Sequence, residues 1–243
     1  MQLSGSPGSG ALKTADRRGR SEGLAYELWL PAAAPPWPAV LILHGAGSRK
    51  ENHGDFARLA SGSGWAALSY DQRGHGESEG EMSPAAIADA TRMARLLASV
   101  DGVDAARVCT RGSSMGGFVA IHAAAVSDAI AGTIAVCPAP ERLLLEGLRQ
   151  ERLEMRADLD ALEPWLEEHD LRDAVELMGA KPLILLHATG DDQIPADLTT
   201  ELYEHAADPR KLVLVPGGHH RSVQHDVELQ TVALRWMARA LRG

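Results

Sequence analysis

The stretch Val108-Cys109-Thr110-Arg111-Gly112-Ser113-Ser114-Met115-Gly116-Gly117-Phe118-Val119-Ala120-Ile121 decides how this chain is read. An apolar, strand-forming run, Val108 to Thr110, leads into Gly-x-Ser-x-Gly, and a helix-forming run, Gly117 to Ala125, leads out of it. This pattern predicts a sharp strand-to-helix turn with Ser114 at its apex. The flanking glycines leave room for a strained backbone. The helix that starts behind the serine turns free N–H groups and the positive end of its dipole toward the hydroxyl, where an oxyanion would form. Without a strand before and a helix after, the same residues would read as a Gly/Ser-rich turn with no chemistry.

Outward from this turn the chain alternates strand and helix patterns. Ala39-Val40-Leu41-Ile42-Leu43 is a short, continuous apolar run, as expected of a strand buried on both faces of a parallel sheet, and it ends in His44-Gly45-Ala46-Gly47. A helical segment carrying Phe56, Leu59 and Ala60 follows and is stopped by Gly62 and Gly64. Trp65 to Tyr70 is the next strand, and Asp71-Gln72-Arg73-Gly74-His75-Gly76-Glu77-Ser78 is the loop after it. Ser83-Pro84 opens a helix whose buried side is marked by Ile87, Met93, Leu96 and Leu97. Nearer the N-terminus, Leu24 to Leu30 alternates like a strand. Pro31 to Pro38 reads as a connection barred from helix and from central strand. Beyond Ser114 the pattern gives a helix from Met115 to about Val126 and strands at Ile130–Cys137, Pro182–Leu186 and Lys211–Val215. Helices are expected at Ala196–Ala206 and through Leu229, Val232, Leu234, Trp236 and Leu241. Repeated strand–helix units imply an α/β fold, a doubly wound, mostly parallel sheet with helices on both faces.

One segment breaks the rhythm. From about Pro138 to Gly179 the chain is charge-rich and helical in pattern, with no strand. It is longer than one crossover helix and reads as a helical cap inserted after the sixth strand. The expected organisation is a loose N-terminal segment at 1–23, a core at 24–137 and 180–243, and the cap at 138–179. The cap offers Trp165 but no aromatic cage.

Composition narrows the function classes. The 243 residues suffice for one α/β domain with a substantial core. A net charge of −9 speaks against a nucleic-acid binder and against an anionic membrane surface. Cys109 and Cys137 lie in apolar strand-like runs and read as reduced core residues, and no Cys/His spacing suggests a metal site. Met1 to Gly10 lacks the apolar stretch of a signal peptide, which makes the cytoplasm the expected location. The expected partner is a small-molecule substrate, with no nucleic acid and no membrane; self-association is left open.

A serine hydroxyl needs a base within hydrogen-bond reach, and that base needs an orienting acid. In a doubly wound sheet such groups gather at the carboxyl ends of strands. Strand Pro182–Leu186 runs into His187-Ala188-Thr189-Gly190-Asp191-Asp192-Gln193-Ile194-Pro195, so the acid is Asp191 or Asp192. Asp191 is preferred, and Asp192 is assigned to a turn or helix cap. Strand Lys211–Val215 runs into Pro216-Gly217-Gly218-His219-His220. The base is one of these two histidines; the glycine spacing favours His220, and His219 remains an alternative. His205 and His225 fall in helical stretches and read as surface residues. His44, His75 and Arg73 are expected to brace loops, and Ser113 to pack beside the turn.

Taken together these motifs resemble the serine-nucleophile α/β-hydrolases, over nearly the whole chain from Leu24 to Leu241. His44–Gly47 resembles the family's oxyanion loop, and Asp71–Ser78 the loop after its next strand. Gly112–Gly116 resembles the nucleophile elbow. Asp191 with Pro195 resembles the acid loop, and Pro216 to His220 the histidine loop. The chain order Ser, Asp, His is also the family's. The resemblance implies that Ser114 attacks an acyl carbonyl, that His220 relays its proton, and that Asp191 orients the imidazole. It also implies that the backbone N–H groups of Ala46 and Met115 bind the oxyanion, with no metal or organic cofactor. A cysteine- or aspartate-based relative would carry that residue at position 114. The function expected is a carboxylesterase acting on a smallish ester, with an apolar acyl pocket under the cap. Thioesterase or peptidase activity, on a likeness to small serine aminopeptidases, is the alternative on the same three residues. A non-catalytic binding protein on this fold is the reading from another class.

Overall fold

The computed structural model describes residues 13–242. It contains eight strands in one sheet: β1 (Arg17–Ser21), β2 (Leu24–Trp29), β3 (Trp37–Leu43), β4 (Ala66–Tyr70), β5 (Val103–Ser113), β6 (Gly132–Val136), β7 (Leu183–Ala188) and β8 (Arg210–Val215). Their spatial order is β1-β2-β4-β3-β5-β6-β7-β8. The β1–β2 and β2–β4 pairs are antiparallel, and every pair from β4 to β8 is parallel. Of the N-terminal segment expected to be loose, residues 1–12 lie outside the described residues. Arg17–Ser21 is an edge strand paired with β2.

The continuous apolar runs are explained by burial on both sides. In β3, Ala39, Leu41 and Leu43 join a core shared with α2 (Ala85–Ala98) and α3 (Met115–Val126), whereas Val40 and Ile42 face α1 (Gly54–Gly62) and the C-terminal helix Val227–Ala240. Neither face meets water, so no polar residue alternates into the run. Two expectations for strand ends are corrected. Pro38 lies inside β3, a central strand. It sits where the register against β5 shifts between Trp37 and Ala39, an irregularity that spares the missing N–H a place in the ladder. β5 begins at Val103, five residues before the apolar run from Val108; its first half is half-buried or exposed and carries no apolar signature.

The sheet turns back on itself at β3. The chain leaves β3 through α1 on one face to reach β4, then crosses on the other face through α2 to reach β5 on the opposite side of β3. The carboxyl ends of β3 and β5 therefore open a crevice at the switch point, where ligands of such sheets bind. Leu43 pairs with Gly112, which puts the His44–Gly47 loop directly beside the Ser114 turn.

Between β6 and β7 lie three helices and no strand: α4 (Glu141–Arg149), α5 (Leu159–Glu168) and α6 (Leu171–Leu177). Leu171, Ala174 and Val175 of α6 are buried in the core beside α3. Trp165 stacks on His169, with ring centroids 4.0 Å apart, and meets His122 and Phe118 of α3 edge-on, which seats α5 on the body. The linker between α4 and α5 crosses the loop after β4: Arg156 N donates to Gly74 O at 3.1 Å, and Met82 N donates to Arg156 O at 2.8 Å. The chain then runs through β7, α7 (Ala196–His205), β8, a four-residue helix α8 (Ser222–His225) and α9 (Val227–Ala240). Among the described residues no helix is long and apolar enough to cross a membrane.

The turn at Ser114 works only if two side chains are absent. A Cβ on Gly112 would stand 2.0 Å from Gly116 O, and one on Gly116 would stand 2.3 Å from Leu43 O and 2.5 Å from His44 O. These obstacles are backbone and cannot swing aside. Gly116→Ala should therefore cost at least about 3 kcal/mol, a fall in Tm of roughly 6 °C or more. Thermal denaturation followed by circular dichroism checks this, and an unchanged Tm would contradict the packing described.

Candidate active site

Ser114 occupies φ 53° and ψ −122°, a backbone region that costs an L-residue about 1–3 kcal/mol. Hydrogen bonds hold it there. Ser114 N donates to Val136 O at 2.9 Å, and Ser114 O accepts from Gly117 N at 2.9 Å and from Phe118 N and Ala139 N at 3.2 Å. The serine is thereby lifted off the end of β5 at the N-terminus of α3. A Cβ built on Gly45 would lie 3.3 Å from Ser114 Cβ and 3.9 Å from its Oγ, so the His44–Gly47 loop passes against the hydroxyl. Ala46 N–H and Met115 N–H, the two expected oxyanion donors, are engaged by no hydrogen bond among the described residues. Met115 is the first residue of α3, and its N–H has no partner within the helix.

The loops around the serine are braced by His44 and Arg73, as expected, and by a Lys50–Asp71 pair the sequence did not single out. His44 Nδ1–H donates to Gly45 O at 2.8 Å, and its Nε2 accepts from Gln72 N at 3.0 Å. Burial, with His75 beside it, pushes His44 down to about 4, so the ring stays neutral and can accept. Arg73 grips the buried Asp89 through two nitrogens, at 2.5 and 3.0 Å. Lys50, itself buried, reaches Asp71 Oδ2 at 2.9 Å, and Asp71 Oδ1 accepts from Lys50 N at 2.8 Å. Burial alone would raise Asp71, but Lys50 and the backbone N–H of Glu77 hold it below the usual carboxylate range.

Of the two candidate bases, the structure brings His220 to the acid. His220 Nδ1 donates to Asp191 Oδ2 at 2.7 Å. His219 is exposed, and its Nδ1 accepts from Arg221 N at 3.3 Å. Asp191 Oδ1 meanwhile accepts from Gln193 N at 2.9 Å and Ile194 N at 3.0 Å. Asp191 thus does both jobs that had been divided between the two aspartates. Asp192 is exposed and caps nothing; α7 is preceded by Pro195 with no side-chain cap. Burial raises Asp191, but the hydrogen bonds from His187, His220 and Ile194 outweigh it and hold the carboxyl far below its ordinary range.

A fully buried imidazole, His187, was not singled out by the sequence. It lies at the end of β7, four residues before Asp191, with Nε2 at 2.9 Å from Ile194 O and 3.3 Å from Asp191 Oδ2. Its Nδ1 is 2.6 Å from Thr199 Oγ1. The available signal was a polar residue interrupting an otherwise apolar strand. Cys137, His187 and Asp191 place ligand-type atoms within 4.8 Å of one another. Both nitrogens of His187 and both oxygens of Asp191 are already committed to hydrogen bonds, so the trio does not suit a cation. Both cysteines are free and buried.

Ser114 and His220 open onto one cavity of about 490 Å³. Its wall includes Asn52, Arg152, Glu154, Gln193, Arg221 and His225, with only Ala46 and Leu153 contributing apolar side chains. The apolar acyl pocket expected from the sequence is not what the cavity offers. Most apolar residues of the 138–179 segment lie elsewhere: Leu144, Leu148, Leu162 and Leu166 are buried in the core, and Leu159 and Leu177 are exposed.

Comparison with known proteins follows the same lines. A sequence model of the family described as serine aminopeptidase, S33, matches residues 34–153. An uncharacterised protein of Mycobacterium tuberculosis is 28% identical over 207 residues, covering 82% of this chain and 68% of that protein. Among solved structures, the alpha/beta hydrolase GrgF from Penicillium sp. sh18 superposes with a TM-score of 0.76 at 19% identity, covering 90% of this chain and 95% of that one. Est1E from Butyrivibrio proteoclasticus gives 0.74 at 20% identity, covering 95% and 100%.

The depressed carboxyls at Asp191 and Asp71 set the sign of the acid response. Protons bind the unfolded chain more readily than the folded one. The stability these groups contribute is therefore present above the ordinary carboxylate range and is lost as pH falls below it. The urea midpoint should drop between about pH 5 and pH 3, and less steeply in Asp191→Asn. Equal slopes for the two proteins would contradict the account.

Proposed function

We propose that this chain, whose fold is that of the α/β-hydrolases, is a serine hydrolase cleaving a carboxylic ester through an acyl-enzyme intermediate. The observation that carries the reading is the Asp191–His220 hydrogen bond at 2.7 Å, with His220 and Ser114 opening onto the same cavity. Because Nδ1 of His220 is held by the carboxylate, Nε2 is the nitrogen left to take the proton of Ser114 Oγ. The freed alkoxide attacks the acyl carbon. The carbonyl oxygen, now negative, is met by the N–H groups of Ala46 and Met115, donors worth about 2.7–4 kcal/mol each in such sites. His220 then returns the proton to the leaving alcohol. Water, activated by the same imidazole, releases the acid and restores Ser114.

The polar wall favours a small, polar ester over a long acyl chain. A solved structure has ferulic acid bound to Est1E, which is in keeping with a carboxylic acid or its ester as this chain's ligand. We read residues 138–179 as the cap, with α6 serving as the crossover helix. A second reading, an aminopeptidase, has one observation in its favour. Glu154 stands over the oxyanion loop, its Oε2 3.3 Å from a Cβ built on Gly47, where a carboxylate could hold a free amine.

A fluorophosphonate probe should label the protein once, at Ser114, and Ser114→Ala should lower ester turnover by at least about 10³-fold. Short-chain p-nitrophenyl esters should be cleaved faster than aminoacyl p-nitroanilides. The reverse preference, weakened in Glu154→Gln, would favour the aminopeptidase. Labelling at another residue would overturn the assignment of Ser114.

A further inference from the structure

Asp191 receives two imidazoles on one oxygen. His220 Nδ1 stands 2.7 Å from Oδ2, and His187 Nε2 stands 3.3 Å from the same atom. His187 is wholly buried, and so is its hydroxyl partner Thr199. Nε2 faces two groups that can only accept, Ile194 O and the Asp191 carboxylate, so it must carry a proton. The hydroxyl of Thr199, 2.6 Å from Nδ1, satisfies the other nitrogen. The ring therefore has one orientation: its Nε2–H donates to Ile194 O in the acid loop, and Nε2 lies 3.3 Å from Asp191 Oδ2.

We propose that His187 is a positioning residue for the Asp191–His220 pair, holding the acid loop through Ile194 O while drawing part of the negative charge on Asp191 Oδ2 away from His220. The inference rests on the serine-hydrolase reading above. His187 touches no substrate and acts only through Asp191. Other titratable groups surround this contact. The Cys137 thiol, pushed up to about 12 by burial, lies near Asp191 from the end of β6, with Arg111 acting on that thiol. Arg152, Glu154, Arg221 and His225 share the cavity with His220. Changes confined to His187 leave all of these in place.

Two polar variants separate the donor from the packing. His187→Gln returns an amide N–H near the Nε2 position. His187→Asn reaches only the Nδ1 position, so it keeps Thr199 and loses the donor to Asp191. With the donor gone, Oδ2 carries more charge, binds the imidazolium form of His220 more firmly, and moves the acid limb of kcat/KM to higher pH. For His187→Asn we expect kcat to fall roughly tenfold at nearly unchanged KM, far short of the ~10⁴-fold loss on altering an orienting acid itself. Its acid limb should rise by about half a pH unit. His187→Gln should restore both.

Equal behaviour of the two variants, or a wild-type rate and pH limb in His187→Asn, would overturn the proposal. Nitrogen-15 NMR of the histidine-labelled wild-type protein decides the matter even where a variant does not fold. His187 Nε2 bearing a proton supports the proposal, and an Nε2 without one overturns it. Ser114→Ala assayed in parallel keeps the two failures distinct. Undiminished turnover there sinks the hydrolase assignment. Abolished turnover there, with His187→Asn unaffected, sinks only the role of His187.

Discussion

The backbone contact between the Ser114 turn and the end of β3 is the constraint on which the rest of the site depends. Gly116 lies so close to the carbonyls of Leu43 and His44 that no side chain fits between them. That contact presses the N-terminus of α3 against the carboxyl end of β3. It therefore fixes, in one stroke, where Ser114 stands and where the His44–Gly47 loop must run. The positive φ of Ser114 is the local consequence. A turn this tight cannot be built from the usual regions of backbone space, and surrounding hydrogen bonds from Gly117, Phe118 and Ala139 keep it from relaxing.

Around that rigid junction the remaining loops are held by separate polar clamps rather than by apolar packing. Lys50 and Asp71 join the segment after the oxyanion loop to the end of β4; Arg73 and Asp89 tie the following loop to α2; His44 and Gln72 link the two loops to each other. Each clamp is buried or nearly so, where an unpaired member is costly, and this makes each geometry nearly all-or-none. Asp191 extends the same logic to the far side of the crevice. Its two oxygens collect two main-chain N–H groups and two imidazoles, so one carboxylate closes its own loop and receives the histidine.

Much of this was legible in the sequence, and the reasons are particular. Ala39–Leu43 and Val108–Thr110 announced doubly buried strands because both faces of the sheet are covered. Gly112, Gly116 and Ser114 announced the elbow because close backbone approach leaves little choice of residue. That Asp191 and His220 would meet could be read because each follows a strand of the parallel sheet. What stayed hidden depends on three-dimensional detail. Glycine spacing favoured His220 without excluding His219; the direction of the chain after Gly217 and Gly218, both at positive φ, is what sends His220 to Asp191. Pro38 in β3 and the exposed first half of β5 broke the usual strand signals. The polar cavity was missed because leucines in a helical cap cannot be assigned to pocket or core from spacing alone.

Arg111 shows how far the coupling of these parts extends. Its guanidinium is fully buried on the strand that delivers Ser114 and forms no salt bridge among the described residues. Burial draws it down only to about 10, so it remains a cation at neutral pH. It lies over the Phe56 ring at 4.9 Å, meets His53 Nδ1 at 3.2 Å and donates to Gln224 O at 2.9 Å. Burial and the guanidinium together hold His53 well below its usual range, which leaves its ring neutral and free to accept. Gln224 belongs to α8, immediately after the loop that carries His220. A hydrogen bond from β5 to α8 thus ties the strand beneath Ser114 to the chain beyond His220. Ser114 and His220 are 106 positions apart in the sequence, yet each is referred to the same strand: one by its backbone, the other through a buried cation whose removal would leave Gln224 O without a donor from that strand.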